Sequence, residues 1–267
     1  MKPSRLKNIV IVILVLVNVF LLALLAGRRV QERAARRRAV SQLIALYDAG
    51  GVSLPARLIP SEEPHPAPID PTRSPETEAA FAAALLGPCK AEDVGGGIYR
   101  YRGENGTCLI RASGAVEAEL ALPAEDSEAF FEGLFGAFGY AALASDVQDG
   151  SGTVTGVRML PDGMVFNAQL TLDFSGGSLM SVSGSFVPPV DPLDGAGGID
   201  SVTALVRFLD YSRDSGEVCT AVSGIRSGYL LQSTASASQR LIPAWCIETD
   251  TNRYYVNMAT GEVTRET

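Results

Sequence analysis

The sequence of 267 residues contains only one histidine, and its four cysteines form no C-x-x-C pair. A single histidine cannot build the H-E-x-x-H zinc motif, and the cysteine spacing does not match a structural zinc site. The chain also has no G-x-S-x-G nucleophile turn and no phosphate-binding P-loop. We therefore expect a protein that is not an enzyme, with no catalytic residue, no metal ion and no cofactor.

Basic residues are scarce outside the N-terminal region. Residues 1–40 contain nine Lys and Arg and one acidic residue, a net charge of +8, whereas the other 13 basic and 29 acidic residues give residues 41–267 a net charge of −16. Contacts to nucleic-acid phosphates need clustered Lys and Arg, so the acidic part argues against a nucleic-acid partner. The basic part flanks an apolar run and would attract anionic headgroups, so membrane lipids are an expected partner.

A long apolar run occupies residues 9–26, where Asn18 is the one polar residue. As a helix, 18 residues rise about 27 Å, close to the hydrocarbon core of roughly 30 Å. A cleaved signal peptide has a shorter apolar region and small residues before its cleavage site, whereas Leu24 or Leu25 would stand three residues from the end here. The run therefore predicts a single retained transmembrane helix at 9–26 after a basic cytoplasmic tail at 1–8.

The sequence allows two orientations for this helix. The Arg run at 28–38 would keep the bulk of the protein in the cytoplasm by the positive-inside rule. A short basic tail before a first apolar segment is instead typical of a signal anchor, and large domains translocate despite their charges. We expect the second arrangement, a single-pass cell-membrane protein with a cytoplasmic N-terminus and an extracytoplasmic body.

Asn18 lies in the middle of the apolar run. An amide at this depth would pair with a neighbouring transmembrane helix, which makes Asn18 a candidate interaction residue. The alternative is that Asn18 bonds its own backbone or reaches toward the interface.

Beyond the apolar run, helical patterns alternate with strand patterns. We expect a juxtamembrane helix and connector at 27–59, a Pro-rich linker at 60–75, a first α+β module at 76–190 and a C-terminal α+β module at 191–267. Helices are predicted at 76–87, 126–140 and 200–216, and strands at 98–102, 107–112, 115–122, 164–174, 179–187, 217–225, 241–250 and 253–259. These patterns predict an α+β fold of antiparallel sheets with helices packed on one face.

The four cysteines allow two interpretations. They are either buried free thiols or two disulfides, Cys89–Cys108 and Cys219–Cys246. In the predicted strands, Cys219 and Cys246 point to the more polar side of what could be one sheet. A bridge between them would need Cα atoms within roughly 7 Å.

Both ends of the chain resemble a known family. The stretch "LIPAWCIETDTNRYYVNMATGEV" (241–263) resembles the C-terminal hairpin of PepSY-like modules, and the residues that match are Pro243, Trp245, Tyr254, Tyr255, Asn257 and Gly261. The N-terminal "LVNVFLL" and "GGVSLPARLIP", with the Arg-rich stretch between them, resemble the YycI/YycH-type regulatory proteins of Gram-positive bacteria.

The resemblance implies PepSY-like modules in tandem and a single-pass protein that binds and modulates a sensor histidine kinase of a two-component system. Its transmembrane and extracytoplasmic contacts would carry this signal-transduction role, and a paralogous single-pass regulator would be a further partner. The alternative function is a PepSY-type inhibitor or chaperone of a secreted protease or cell-wall hydrolase.

Overall fold

A computed structural model describes residues 3–61, 66–124, 126–190, 195, 197–233 and 239–266. The side chains of residues 3–12, 23, 25, 26, 29 and 30 are outside this description. Part of the predicted tail (1–2), part of the predicted linker (62–65) and the start of the predicted C-terminal module (191–194) also lie outside it. The chain divides into two compact units, Met1–Ile59 and Pro60–Thr267.

The first unit consists mainly of one long helix, α1, which spans Pro3–Ala49 without interruption. It therefore joins the apolar run and the predicted juxtamembrane helix into one element. The helix ends just before two glycines, where Gly50 and Val52 donate backbone hydrogen bonds to the carbonyl of Tyr47 at 2.9 and 3.0 Å. Gly51 follows with φ +76°, a conformation that glycine adopts without steric cost.

The second unit contains one large sheet, three further α-helices and a short 3-10 helix, Gly136–Phe138, within its described residues. The α-helices are α2 (Pro75–Leu86), α3 (Ser127–Phe135) and α4 (Ser201–Ser215). The strands are β1 (Lys90–Gly95), β2 (Ile98–Gly103), β3 (Gly106–Ile110), β4 (Ala115–Pro123), β5 (Tyr140–Gln148), β6 (Ser151–Leu160), β7 (Gly163–Ser175), β8 (Ser178–Ser185), β9 (Val222–Ser233), β10 (Gln239–Thr249), β11 (Arg253–Asn257) and β12 (Val263–Arg265).

The strands follow the order β1-β2-β3-β4-β8-β7-β9-β10-β11-β12, and β6 pairs with β7 and carries β5 at its other edge. The fold is thus α+β, as predicted, but the sheet is mixed. β7 and β9 run parallel, with Met164 opposite Gly228 and Val165 opposite Tyr229. This parallel pair links the strands of the two predicted modules, so the expectation of antiparallel sheets alone is wrong at this position.

A close backbone approach makes the parallel pair feasible. A Cβ atom at position 228 would lie 2.4 Å from the carbonyl oxygen of Met164, so only glycine fits beside β7 there. The sequence pattern gives no indication that β7 and β9 meet, because the contact depends on residues more than 60 positions apart.

Side-chain caps begin all three α-helices of this unit. Ser74 accepts a hydrogen bond from Thr77 N at 3.3 Å, Asp126 from Glu128 N and Ala129 N at 3.1 Å, and Asp200 from Thr203 N at 2.8 Å. Each cap satisfies a backbone donor that the first helical turn leaves without an intrahelical partner. Asp126 and Asp200 immediately precede α3 and α4, and aspartate is among the residue types favoured at this position.

The main core lies between the sheet and helices α2 and α3. Phe81 of α2 packs against Phe135 of α3 with ring centroids 5.6 Å apart and against Phe186 at 4.6 Å. These rings join buried side chains of β2, β3, β4, β7 and β8 in one apolar cluster. At roughly 25 cal/mol per Å² of buried apolar surface, such aromatic clusters supply much of the folding free energy.

The alternation of buried and exposed residues along β8 differs from the sequence pattern at one residue. The sequence pattern places Met180 and Val182 on the buried face, but Met180 is exposed while Leu179 and Val182 are buried. The register explains the difference, because Phe174 faces Leu179 and Asp173 faces Ser181, which leaves Met180 in a bulge.

Candidate functional site

Helix α1 exposes the apolar residues that the sequence singles out. Its large side chains between Ile13 and Leu24 are 50–65% exposed wherever they are described. Among the side chains that the structure describes, no helix combines the length and the apolar character needed to span a membrane. The anchor at residues 9–26 accordingly stays a prediction.

Asn18 makes a local hydrogen bond. Its amide nitrogen donates to the carbonyl oxygen of Leu14, one turn earlier, at 2.8 Å. An asparagine amide has two N–H donors and a carbonyl oxygen with two lone pairs, so this bond uses one donor. The role of Asn18 in contacting another helix stays a prediction.

All four cysteines are free thiols in the structure, so neither predicted disulfide is formed. Cys246 lies opposite Arg226, whereas Cys219 precedes β9, which begins at Val222 rather than at the predicted residue 217. Cys89 immediately precedes β1 and Cys108 lies on β3, with β2 between them. β1 and β3 are therefore separated by two strand spacings of about 4.8 Å each. The sum exceeds the roughly 7 Å that a disulfide allows between Cα atoms.

Burial raises the pKa of each thiol. The pKa values of Cys108 and Cys246 rise to about 12, and those of Cys89 and Cys219 also lie above the ordinary value. A nucleophilic cysteine needs a lowered pKa, which these environments do not provide.

The residues that match the PepSY-like hairpin divide between the two faces of β10 and β11. On one face, the indole of Trp245 donates to the carbonyl oxygen of Ile199 at 2.9 Å, and the ring of Tyr254 packs against Phe208 of α4 at 4.8 Å. On the other face, Tyr255 stacks on Phe166 of β7, with centroids 5.4 Å apart. The three aromatic residues of the motif, Trp245, Tyr254 and Tyr255, therefore do not form one patch.

The remaining hairpin residues shape the backbone. Pro243 is buried, and its carbonyl accepts a hydrogen bond from Met258 N at 2.9 Å. Asn257 accepts side-chain hydrogen bonds from Ala259 N and Thr260 N at 2.8 and 3.2 Å, which closes the turn after β11. Gly261 has φ +74° in the same turn, a conformation that favours glycine. These three residues have structural roles in the fold.

Sequence reasoning missed a groove that lies where β8 and β9 meet β7. β8 pairs with β7 at residues 170–175 and β9 pairs with it at residues 164–165, so the segment between them has no strand neighbour on that edge. We call this opening the junction groove; it has a volume of about 530 Å³. Its floor is formed by Phe166, Leu230 and Tyr255. Polar side chains surround the floor, namely Asn167, Gln169, Thr171, Ser185, Gln232, Thr264, Arg265 and Glu266.

Two carboxamides replace the missing strand pairing beside the groove. The Asn167 side chain donates to the carbonyl oxygen of Leu231 at 2.9 Å and accepts from its N–H at 2.7 Å. It therefore acts as a peptide group would in the next pair of the β7–β9 ladder. Gln169 donates to the carbonyl oxygen of Phe166 at 3.1 Å. The sequence places Asn167 and Gln169 on a polar face but does not indicate these partners.

Charged groups at the groove are paired. Arg265 contacts Glu217 at 2.8 Å, and Glu266 accepts from the Tyr255 hydroxyl at 2.7 Å and lies 3.3 Å from Arg253. Burial, followed by the hydrogen bond to Glu266, raises the pKa of Tyr255. The hydroxyl therefore stays neutral at physiological pH. Taken together, these pairs make the groove locally neutral within an acidic body.

The architecture is a mixed sheet with helices and a polar groove, an arrangement suited to binding. Neither a family model nor a curated protein matches the sequence. Similar solved structures include the C-terminal domain of YpeB from Bacillus megaterium, at 10% identity and TM-score 0.38, covering 73% of this chain and 98% of that chain. An uncharacterized protein from Eubacterium rectale has 11% identity and TM-score 0.45, covering 77% of this chain and 86% of that chain.

YycH from Bacillus subtilis is also among the similar structures, at 12% identity and TM-score 0.40, covering 78% of this chain and 53% of the YycH chain. This chain spans about half of that YycH chain, and neither a partner nor an activity follows from the similarity.

Proposed function

We propose that the chain is a membrane-anchored, non-catalytic regulator that binds a sensor histidine kinase and modulates its two-component system. The observation that carries this proposal is the uninterrupted helix α1, whose apolar segment is exposed between Ile13 and Leu24. Apolar surface in water costs roughly 25 cal/mol per Å², so this segment needs a lipid or protein environment.

In this proposal, residues 9–26 cross the membrane with the N-terminus in the cytoplasm, and lipid headgroups contact the flanking basic residues. Residues 27–59 connect the anchor to an extracytoplasmic body formed by the modules at 76–190 and 191–267. Asn18 pairs with a partner helix, and a paralogous single-pass regulator is a second candidate partner. The sequence motifs shared with YycI/YycH-type proteins support the choice of a kinase.

The chemistry of the body supports binding rather than catalysis. The four thiols have raised pKa values, which disfavours a nucleophilic role. The sequence lacks the serine-hydrolase, zinc-peptidase and nucleotide-binding motifs.

The experiment is complementation of a strain that lacks the chain, with response-regulator phosphorylation as the readout. One strain receives the full-length protein, and a second receives a version whose residues 1–26 are replaced by a cleavable signal peptide. We expect only the anchored version to restore the normal phosphorylation level, because the anchor helix contacts the kinase.

A released body that restores phosphorylation fully would contradict this proposal. If the released body also inhibited or stabilised a secreted protease or cell-wall hydrolase, the alternative function would replace it. Immunoblotting for equal amounts of the two versions controls for expression.

A further inference from the structure

The junction groove is closed to the usual mode of peptide binding. An added peptide strand needs free backbone donors and acceptors along a sheet edge. At this edge, the Asn167 side chain occupies both backbone groups of Leu231 at 2.7 and 2.9 Å. The gap in the sheet is therefore filled by a carboxamide and offers no continuous edge for a peptide.

The groove is also poorly suited to a charged ligand. The Arg265 guanidinium is neutralised by Glu217, and the Glu266 carboxylate is engaged by Tyr255 and Arg253. A charged ligand would have to compete with these contacts and give up hydration, which is costly without a free counter-charge.

The groove offers neutral hydrogen-bonding groups to a ligand. The side chains of Thr171, Ser185, Gln232 and Thr264 make no hydrogen bond to any other residue in the described part of the chain. Each can both donate and accept hydrogen bonds. They come from four different strands and surround the floor of Phe166, Leu230 and Tyr255, and the volume of about 530 Å³ is in the range of ligand pockets.

We propose that the junction groove binds a short uncharged glycan through its hydroxyl and N-acetyl groups. Sugar hydroxyls and acetamides donate and accept hydrogen bonds, as the four groove side chains do. The apolar floor offers a small contact area for C–H groups of a sugar, because Leu230 is half-buried while Phe166 and Tyr255 are buried. This inference does not depend on the proposed function, since it assigns a ligand to a site that the anchor helix does not form.

The test is isothermal titration of the full-length protein in lipid nanodiscs with an uncharged tetramer of N-acetylglucosamine. Nanodiscs avoid sugar-headed detergents, which would compete for the groove. We expect saturable binding that Gln232→Ala and Thr264→Val each weaken at least about 5-fold, a loss of about 1 kcal/mol. Both side chains are exposed and make no hydrogen bond to another described residue, so we expect both variants to fold normally.

Matched controls outside the groove are Gln148→Ala on β5 and Thr153→Val on β6, which are exposed and should leave the affinity unchanged. The conservative variant Thr264→Ser should retain binding because it keeps the hydroxyl.

No binding at about 10 mM tetramer would overturn the proposal, because the dissociation constant would then exceed the millimolar range. An equal loss of affinity for the tetramer in the groove variants and the control variants would also overturn the proposal. Displacement of the tetramer by an extended peptide would overturn it as well. None of these results changes the response-regulator readout, so the failure of this inference is separate from failure of the proposed function.

Discussion

At the scale of single residues, Asn18 is the polar group on which the proposed helix contact depends. One of its amide hydrogens bonds to Leu14, and the remaining hydrogen-bonding capacity is suited to a neighbouring helix. We expect Asn18→Leu to weaken association with a partner helix by about 0.6–2 kcal/mol, or about 3-fold to 30-fold, while membrane insertion is retained. A membrane two-hybrid assay measures this change, with Val17→Leu as the control. An unchanged Asn18→Leu signal would count against the contact.

The thiols give a second prediction at the residue scale. Cys89 and Cys219 are partly exposed, whereas Cys108 and Cys246 are buried and have pKa values of about 12. In alkylation at about pH 8 we expect native protein to react at Cys89 and Cys219 and to protect Cys108 and Cys246. Unfolding without reductant should release four reactive thiols in the mass spectrum. Fewer than four would show that a disulfide exists.

At the scale of structural elements, the join between β7 and β9 depends on Asn167. Replacing it with alanine leaves the N–H and carbonyl of Leu231 without their partners. We expect Asn167→Ala to lower the free energy of unfolding by about 1–3 kcal/mol, measured by urea denaturation. Gln148→Ala, an exposed carboxamide on β5, is the matched control and should have little effect. Equal stability of the two variants would mean that the side-chain pairing contributes nothing.

Hydrogen bonds to Asp250, which follows β10, hold the segment immediately before β9 in place. Its carboxylate accepts hydrogen bonds from the Thr220 hydroxyl at 2.6 Å and from Thr220 N at 3.0 Å, and the pKa of Asp250 is lowered chiefly by the Thr220 hydroxyl. Because the pKa of Asp250 is lower in the folded than in the unfolded state, its ionised carboxylate stabilises the protein at pH values above the unfolded-state pKa. This stabilisation is lost as the pH falls through the folded-state pKa. We expect the stability difference between wild type and Asp250→Asn to shrink as the pH falls from about 6 to about 2.

Urea denaturation across this pH series measures the effect. Asp210→Asn is the control, because Asp210 is exposed on α4 and makes no ion pair or hydrogen bond to another described residue. A pH-independent difference between wild type and Asp250→Asn would show that the carboxylate charge is not what stabilises the start of β9.

Local patterns predict the elements better than their pairing. The alternation of β4, with Val116 and Ala118 buried and Glu117 exposed, is visible in the sequence because each strand face repeats every second residue. β5 and β6 lack such alternation for different reasons. β5 is largely exposed, whereas β6 is half buried but has a bulge between Val157 and Arg158 that interrupts the two-residue repeat. The parallel contact of β7 with β9 is set by long-range packing, so no local pattern indicates it.

At the scale of the whole molecule, the sequence leads to an expected class of protein but does not indicate the junction groove. The single histidine and the charge asymmetry lead to a non-enzymatic, membrane-associated interpretation. The groove requires β7, β8, β9, β11 and β12 to be placed together, and this placement follows from the parallel join. Of the residues chosen from the hairpin motif, only Tyr255 lines the groove, because the others serve the turn or the α4 face.

The central claim is that the anchored helix touches a sensor kinase, and site-specific photo-crosslinking at position 18 tests it most directly. A photoreactive amino acid is placed at position 18 in living cells, and adducts are identified by mass spectrometry. A control at Phe20 probes the opposite side of the helix, about 200° away. We predict a protein adduct from position 18 that contains a histidine-kinase domain, and little from position 20. Recovery of lipid adducts alone, or of the same proteins from both positions, would contradict the account.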